Sequence, residues 1–115
     1  MIRMAKEMRV DKKFDWLGGK GDVKLVHIME GDEFQKKGRL FALNILKPGC
    51  SIGMHTQKGE MEAYYVTKGE GLFEEGGEKK PIKAGDLGYI GVGQSHAIEN
   101  TGTTDLEFIA LILFE

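Results

Sequence analysis

Residues 48–62, PGCSIGMHTQKGEME, bring three candidate metal ligands into one short stretch of the chain. His55 and Gln57 are two residues apart, so on a β-strand their side chains leave the same face. Glu62 follows the turn Lys58-Gly59, where we expect the chain to return antiparallel and aim its carboxylate at the same point. The stretch therefore predicts one nitrogen and two oxygens that converge from adjacent strands, a mixed donor set that divalent metals bind.

Two motifs with spaced glycines and histidines follow each other along the chain. The first has the spacing Gly49-x5-His55-x-Gln57-x4-Glu62-x6-Gly69, and the second has the spacing Gly85-x5-Gly91-Val92-Gly93-x2-His96-x3-Asn100. In this order they resemble the two motifs of the cupin superfamily. Gln57 stands where that family ordinarily has histidine, and Gly91 stands where it has proline. The resemblance covers the chain from about Val23 onward.

The resemblance implies a fold and a metal site. The fold is all-β, a double-stranded β-helix or jelly-roll barrel. The site is one divalent transition metal ion at the barrel mouth, held by His55, Gln57, Glu62 and His96. A ligand set of glutamine, histidine and glutamate is similar to that of the cupin-type mannose-phosphate isomerases. The neutral amide oxygen of glutamine favours Mn²⁺, Fe²⁺ or Zn²⁺ over copper. The alternative is a site that has lost its metal, with His55 and His96 as ordinary polar residues of a ligand cavity.

The length and the glycine content indicate one domain of short strands. Of the 115 residues, 17 are glycine, about twice the average usage. Glycines spread along a chain are typical of tight turns between strands. We therefore expect a single all-β domain over residues 1–115, with an N-terminal strand or arm at 1–20 and the barrel at 21–115.

Nine short apolar segments are rich in β-branched and aromatic residues, which predicts strands. They are Val23–Met29, Leu40–Lys47, Ser51–Gln57, Met61–Thr67, Gly71–Glu75, Lys79–Lys83, Asp86–Ile90, His96–Glu99 and Asp105–Phe114. Residues 74–78 predict a hairpin turn, and residues 83–86 predict a second turn. Only Met1–Met8 favours a helical turn.

Charge and hydropathy argue against two classes of partner. The 16 basic and 18 acidic residues give a net charge of −2, so we expect no nucleic acid partner. The longest apolar run, Phe108–Phe114, is too short to cross a bilayer as a helix. Met1–Val10 lacks the continuous apolar stretch of a secretory signal, and the single cysteine, Cys50, favours a reducing compartment. We expect a cytoplasmic protein without a membrane partner.

Two strands are predicted to be apolar on both faces. In residues 108–114 both alternating sets of side chains are apolar, and residues 41–46 are similar except for Asn44. A half-exposed antiparallel strand should alternate with polar residues, so both faces of these strands are expected to be covered. The barrel interior covers one face, and a second subunit is the expected cover for the other. We therefore expect a homodimer.

Four further residues are weaker candidates for the site. Tyr64 is two residues from Glu62, so on a strand both side chains leave the same face. It is a candidate proton donor in the cavity, although a packed core aromatic is the preferred interpretation. Glu60 is a candidate general base or partner of a metal ligand, although its place at a turn favours solvent exposure. His27 is expected to line the core or cavity rather than serve as a fifth ligand. Trp16 is expected to pack at the barrel entrance.

Three functions fit these residues. A divalent ion with one carboxylate, Glu62, leaves the site net positive, which favours an anionic or chelating oxygen ligand such as a carboxylate or a sugar phosphate. The preferred hypothesis is a metalloenzyme of oxygenase, decarboxylase or isomerase type. The alternative is a non-catalytic module that binds a small sugar or acid. A metal-free cupin similar to sugar-nucleotide epimerases ranks last, because those proteins lack this ligand set.

Overall fold

A computed structural model describes all 115 residues. Ten strands form two antiparallel β-sheets. The strands are β1 (Val10–Phe14), β2 (Asp22–Met29), β3 (Gly38–Leu46), β4 (Ser51–Thr56), β5 (Glu60–Lys68), β6 (Glu70–Glu75), β7 (Glu78–Lys83), β8 (Leu87–Ile90), β9 (Ser95–Asn100) and β10 (Leu106–Phe114). The larger sheet has the order β1-β2-β3-β10-β5-β8, and the smaller sheet has the order β4-β9-β6-β7. The prediction of an all-β jelly-roll barrel is confirmed.

The helical content is limited to three short 3-10 helices. They lie at Ala5–Glu7, Trp16–Gly18 and Gly31–Phe34. The first falls within the helical turn expected in Met1–Met8, whereas the other two contradict the prediction that no other segment is helical. None of the helices is long and apolar enough to cross a membrane.

The core lies between the two sheets and is built from alternate residues of each strand. On β3 and β10 one residue in two is buried, and the inward residues Leu46, Leu106 and Phe108 have no exposed surface. Each fully buried side chain of this size contributes roughly 1.5–3 kcal/mol through the hydrophobic effect. Because β10 lies between β3 and β5, the most apolar segment of the chain holds the middle of the larger sheet.

The predicted strands and turns agree closely with the structure. All nine predicted segments are strands, with ends shifted by no more than two residues. Gly76 and Gly77 adopt φ values of 58° and 78° in the turn between β6 and β7, as a tight hairpin requires. Within residues 1–20, Val10–Phe14 form β1, which pairs with β2 at the edge of the larger sheet.

The expected pairing of the two strands that carry His55 and Glu62 is wrong. β4 pairs with β9 in the smaller sheet, whereas β5 pairs with β10 and β8 in the larger sheet. The turn at Lys58-Gly59 thus passes from one sheet to the other instead of closing a hairpin. Glu62 therefore approaches His55 across the barrel interior and not along a sheet.

Three β-bulges interrupt the regular pairing near the barrel mouth. In β4, Gly53 and Met54 lie between the pairs Ile52↔Ile98 and His55↔His96, opposite a single residue of β9. In β3, Arg39 is the extra residue between the pairs that Gly38 and Leu40 make with β10. In β2, Ile28 is the extra residue opposite β3. Bulges change the direction of neighbouring side chains, and the first two do so beside the candidate site.

Candidate metal centre

Three ionisable side chains converge inside the barrel. Nε2 of His96 lies 2.8 Å from Oε1 of Glu62 and 3.0 Å from Nε2 of His55. Nε2 of His55 lies 3.4 Å from the same carboxylate oxygen. The donor atoms of these three residues are all within 4.8 Å of one another. Two imidazole nitrogens and one carboxylate oxygen therefore point at a common centre.

The fold brings the three residues together from both sheets. His55 of β4 and His96 of β9 are direct partners across the smaller sheet. Ile52 and His55 both face the interior although they are three residues apart, because the Gly53-Met54 bulge supplies the additional residue. Glu62 reaches the same point from β5 in the larger sheet. Glu62 and His96 are buried, with exposed fractions of 3% and 1%, so the site is shielded from bulk water.

A backbone carbonyl fixes the tautomer of His55. Nδ1 of His55 lies 2.8 Å from the carbonyl oxygen of Gly53, and a carbonyl can only accept. Nδ1 therefore carries a proton, and in the neutral ring Nε2 is left with a lone pair that faces His96 and Glu62. Histidines that bind metals commonly donate their second ring nitrogen to a carbonyl in this manner.

Packing holds the ring of His96. Its imidazole stacks on Tyr64, with ring centroids 4.8 Å apart and planes inclined by 24°, and meets the edge of Phe73 at 5.5 Å. Nδ1 of His96 is buried and has no hydrogen-bond partner. The Nε2 atom, which points to the common centre, is the only nitrogen of this ring with a polar contact.

Gln57 lies just after β4 and lines the same cavity. Its backbone N–H donates to the carbonyl of Gln94, and its carbonyl accepts from the N–H of Gly93, so the two motifs are joined at this residue. Its side chain is buried, and Nε2 donates to Oε1 of Glu60 at 2.8 Å. The structure thus places Gln57 in the wall of the site and gives its amide nitrogen the Glu60 carboxylate as its partner.

The solvent exposure expected for Glu60 is wrong. Glu60 is only 8% exposed, because Nε and Nη2 of Arg39 contact its two carboxylate oxygens at 2.8 and 2.5 Å. A buried carboxylate needs such a partner. Arg39 comes from β3, so no local feature of residues 58–62 could have indicated this contact.

Hydrogen bonds and burial shift the pKa values of the site. Burial opposes the charge of Glu62, but the hydrogen bonds from His55 and His96 outweigh it, so the pKa of Glu62 lies below its ordinary value of 4.5. Burial also opposes the charge of His55, yet the bonds to Glu62 and to the Gly53 carbonyl raise the pKa of His55 above 6.5. Burial raises the pKa of Tyr64 well above 10.0, and the charge of Glu62 adds to this, so the phenol keeps its proton.

The spacing of the donor atoms suits a bound ion. With metal–ligand bonds of about 2.1 Å, adjacent ligand atoms lie about 3.0 Å apart in an octahedral site and about 3.4 Å apart in a tetrahedral one. The three distances of 2.8, 3.0 and 3.4 Å match these values. The donor set and its spacing therefore fit a divalent metal.

A cavity of about 210 Å³ opens from the converging residues. His27 lines it as expected and is not among the converging ligands, because its Nε2 contacts Oδ2 of Asp11 at 2.9 Å. Trp16 lines the cavity and packs against the core, also as expected. Tyr64 belongs both to the buried core and to the cavity wall. The cavity has room for a small ligand beside the site.

Several residues of this cavity were not predicted from the sequence, and Arg39 and Asn44 are two of them. Arg39 lines it and binds Glu60, but an arginine at an exposed strand position carries no signal of such a role. Asn44 also lines it, is buried, and donates from Nδ2 to the Ala42 carbonyl at 3.2 Å. Its signal was visible, since Asn44 is the only polar residue in the apolar run 41–46.

Comparison with known proteins identifies the family. The family model described as "Cupin domain" matches residues 42–112. The chain is a cupin. The match includes both motifs up to Asn100 and continues through the apolar strand β10.

Two comparisons each find a match from Thermotoga maritima that covers nearly the whole length of this cupin. A protein named oxalate-binding protein is 44% identical over 113 residues, which cover 98% of this cupin and 93% of the relative. The crystal structure of a predicted oxalate decarboxylase superposes with a TM-score of 0.95 at 43% identity and covers 100% of both chains. A structure from Thermus thermophilus matches with a TM-score of 0.74 at 17% identity, over 98% of this cupin and 96% of that chain, which shows a shared fold alone.

Proposed function

We propose that this cupin holds one divalent transition metal ion (Mn²⁺, Fe²⁺ or Zn²⁺) on His55, Gln57, Glu62 and His96 and uses it to bind a small dicarboxylate of the oxalate type. The convergence of His55, Glu62 and His96 within hydrogen-bonding distance of one another carries the metal part of the proposal. Without an ion, three Lewis bases meet at one point, whereas an ion satisfies all of them.

The charges around the cavity favour an anionic ligand. Glu62 contributes one negative charge, which leaves a divalent ion with a net positive charge at the centre. Lys13, Arg39 and Asp11 also line the cavity; the charge of Arg39 is balanced by Glu60, and the charge of Asp11 is balanced by Arg9. A dianion that chelates the ion through two oxygens would neutralise the centre together with Lys13. The name of the Thermotoga relative, oxalate-binding protein, supports oxalate as the first ligand to test.

Neighbouring residues orient the two histidine ligands of the site. His55 presents Nε2 because Gly53 holds Nδ1, and His96 presents Nε2 because Tyr64 and Phe73 hold its ring. A bound divalent ion supplies Lewis-acid chemistry and polarises the carboxylate that it binds. The buried surroundings strengthen each of these charge interactions relative to water.

Metal content tests the first part of the proposal. We expect the purified protein to take up close to one ion per chain after reconstitution with Mn²⁺, Fe²⁺ or Zn²⁺, as measured by plasma mass spectrometry. His96→Ala should lose most of the ion, whereas His27→Gln, which changes a cavity histidine outside the converging set, should keep it. Equal metal content in both variants would place the ion elsewhere.

Calorimetric titration with oxalate tests the second part. The metal-loaded protein should bind oxalate with a measurable heat, and the protein treated with a chelator should not. Acetate, which has one carboxylate, should bind at least tenfold more weakly because it cannot neutralise the centre by chelation. Equal affinities of the loaded and the metal-free protein for oxalate would contradict metal-dependent binding.

A second candidate function is decarboxylation of the same ligand. Tyr64 lines the cavity beside Glu62 and keeps its proton, so it offers a proton for the carbon that remains when the C–C bond breaks and CO₂ leaves. The Thermotoga structure described as a predicted oxalate decarboxylase favours the same chemistry. Release of formate from oxalate, observed by NMR and lost in Tyr64→Phe with oxalate affinity retained, is the expected result. Binding without any formate would leave the non-catalytic module as the function.

A further inference from the structure

The side-chain amide of Gln57 is held by Glu60, a buried carboxylate outside the ligand set that pairs with Arg39. We propose that Glu60, fixed by Arg39, is a positioning residue that turns the carbonyl oxygen of Gln57 towards the ion and makes this position an oxygen donor. The inference rests on the proposed metal site. It adds that Glu60 and Arg39 determine whether the oxygen or the nitrogen of the Gln57 amide faces the ion.

The contacts form a continuous chain from β3 to the site. Arg39 donates to Oε2 and Oε1 of Glu60 at 2.8 and 2.5 Å, and Nε2 of Gln57 donates to Oε1 of Glu60 at 2.8 Å. Glu60 and Gln57 are buried, with exposed fractions of 8% and 3%. The Gln57–Glu60 hydrogen bond is therefore largely shielded from water.

The chemistry of the carboxylate selects one orientation of the amide. An ionised carboxylate only accepts hydrogen bonds, so the end of Gln57 that faces Glu60 must be the NH₂ group. The reverse orientation would place the amide oxygen against a negatively charged oxygen. Oε1 lies at the opposite corner of the planar amide, and no donor of the chain bonds it. A free carbonyl oxygen in the wall of the metal cavity is the group that a divalent ion binds.

Arg39 reaches Glu60 because of a bulge. It is the extra residue of β3 opposite β10, between the pairs Leu40↔Ile112 and Gly38↔Leu113. Its side chain remains half exposed, while its guanidinium donates hydrogen bonds to both carboxylate oxygens of Glu60. The contact compensates the burial of the carboxylate, which would otherwise be costly. It also leaves the Gln57 amide as the remaining partner of Glu60.

Removal of Glu60 should free the amide to rotate. Its NH₂ end could then face the ion, and the positive hydrogens of that group repel a cation. Loss of a residue that orients a metal ligand typically costs 10–100-fold in metal affinity. We therefore expect Glu60→Met, which has a similar size and no carboxylate, to bind Mn²⁺ about tenfold more weakly than the wild type.

The test is a double-mutant cycle of Mn²⁺ affinity measured by calorimetry. If Glu60 acts through Gln57, Glu60→Met should cost about tenfold in the wild-type background and less than twofold in the Gln57→Ala background. Glu33→Gln is the matched control, since Glu33 also binds an arginine, Arg3, through two oxygens but lies outside the cavity. It should leave the affinity unchanged. Circular dichroism verifies that each variant folds.

A second measurement needs no metal. In the metal-free wild type, one side-chain amide proton of Gln57 should be protected from exchange and shifted downfield by the carboxylate, and Glu60→Met should abolish both effects in the NMR spectrum. An unchanged Mn²⁺ affinity in Glu60→Met, or an equal loss with Gln57 absent, overturns the inference while the metal site stands. A wild type that binds no Mn²⁺, Fe²⁺ or Zn²⁺ overturns the proposed function, and this inference with it.

Discussion

The Nε2 atoms of His55 and His96 meet 3.0 Å apart over one oxygen of Glu62. In the absence of an ion these three groups contact one another directly. When His55 takes up a proton, its positive charge balances Glu62, and this contact raises the pKa of His55. The acid–base state of the metal-free protein therefore depends on the same atoms as the metal site.

The stability of the metal-free protein should pass through a maximum in mildly acidic solution. The pKa of His55 is raised, so its contribution is complete below 6.5 and is lost as the pH rises through the folded-state value. The pKa of Glu62 is lowered, so its contribution is complete above 4.5 and is lost as the pH falls through the folded-state value. Melting temperatures in excess chelator should thus be highest between these two ordinary values.

His55→Gln provides the control for this pH dependence. The variant cannot take up the imidazole proton, so its melting temperature should no longer fall on the alkaline side. A wild-type profile that stays flat from about pH 5 to pH 8 would contradict the pairing of His55 with Glu62.

The sequence predicted the candidate ligands better than their surroundings. His55, Glu62 and His96 could be selected because motif spacing is a property of neighbouring residues along the chain. The burial of Glu60 could not be predicted, since it depends on Arg39, which is 21 residues away and belongs to another strand. Contacts of this kind depend on how distant strands are paired and in which register, and neither can be derived from the sequence alone.

At the scale of the element, β4 is positioned by close backbone contacts with the Trp16–Gly18 helix. A Cβ atom on Gly53 would lie 2.1 Å from the Leu17 carbonyl oxygen and 2.6 Å from the Gly18 carbonyl carbon. Both are backbone atoms, so they cannot rotate away. The bulge that turns His55 inward is therefore packed directly against the segment that carries Trp16.

Gly53→Ala should disturb both stability and the site. We expect the free energy of unfolding to fall by about 1–3 kcal/mol, as for other overpacked positions, and the metal affinity to fall because Gly53 also holds Nδ1 of His55. Chemical denaturation and metal titration measure the two effects. Gly91→Ala is the matched control, because a Cβ atom there meets no atom closer than 3.5 Å. Equal stability of both variants would contradict the argument.

Strand positions were predictable, and bulges and sheet membership were not. Short apolar segments rich in β-branched and aromatic residues located β3, β5 and β10, because such residues favour strands. The order of apolar and polar residues does not indicate the Gly53-Met54 bulge. Residue spacing alone would place Ile52 and His55 on opposite faces of the strand. The hairpin expected between β4 and β5 failed for a related reason, since a short turn fits a hairpin and a crossing between sheets equally well.

At the scale of the whole molecule, the outer face of the larger sheet is apolar. Phe41, Leu43 and Leu111 are only half-buried there, and Ile109 pairs with Tyr65, which is 49% exposed. These side chains lie on the face of β3, β10 and β5 opposite to the core. An apolar face of this kind on a small domain favours association.

We expect a homodimer formed through this outer face. Light scattering after size-exclusion chromatography should give twice the chain mass of 12.8 kDa for the wild type. Leu111→Lys should give the monomer mass, because it buries a charge at the centre of the face, while its far-UV circular dichroism stays unchanged. Val92→Lys, an exposed apolar position outside this sheet, should remain dimeric. A monomeric wild type would rule the dimer out.

The larger sheet separates the ligand cavity on its inner side from the apolar face on its outer side, and all four proposed ligands belong to one chain. Each copy in an assembly would then contain a complete and independent site. The saturation curve for the ion should follow a simple hyperbola with a Hill coefficient of unity at any protein concentration. Dilution that separates the subunits should leave the ion bound, so stoichiometry per chain would be conserved across the dissociation transition.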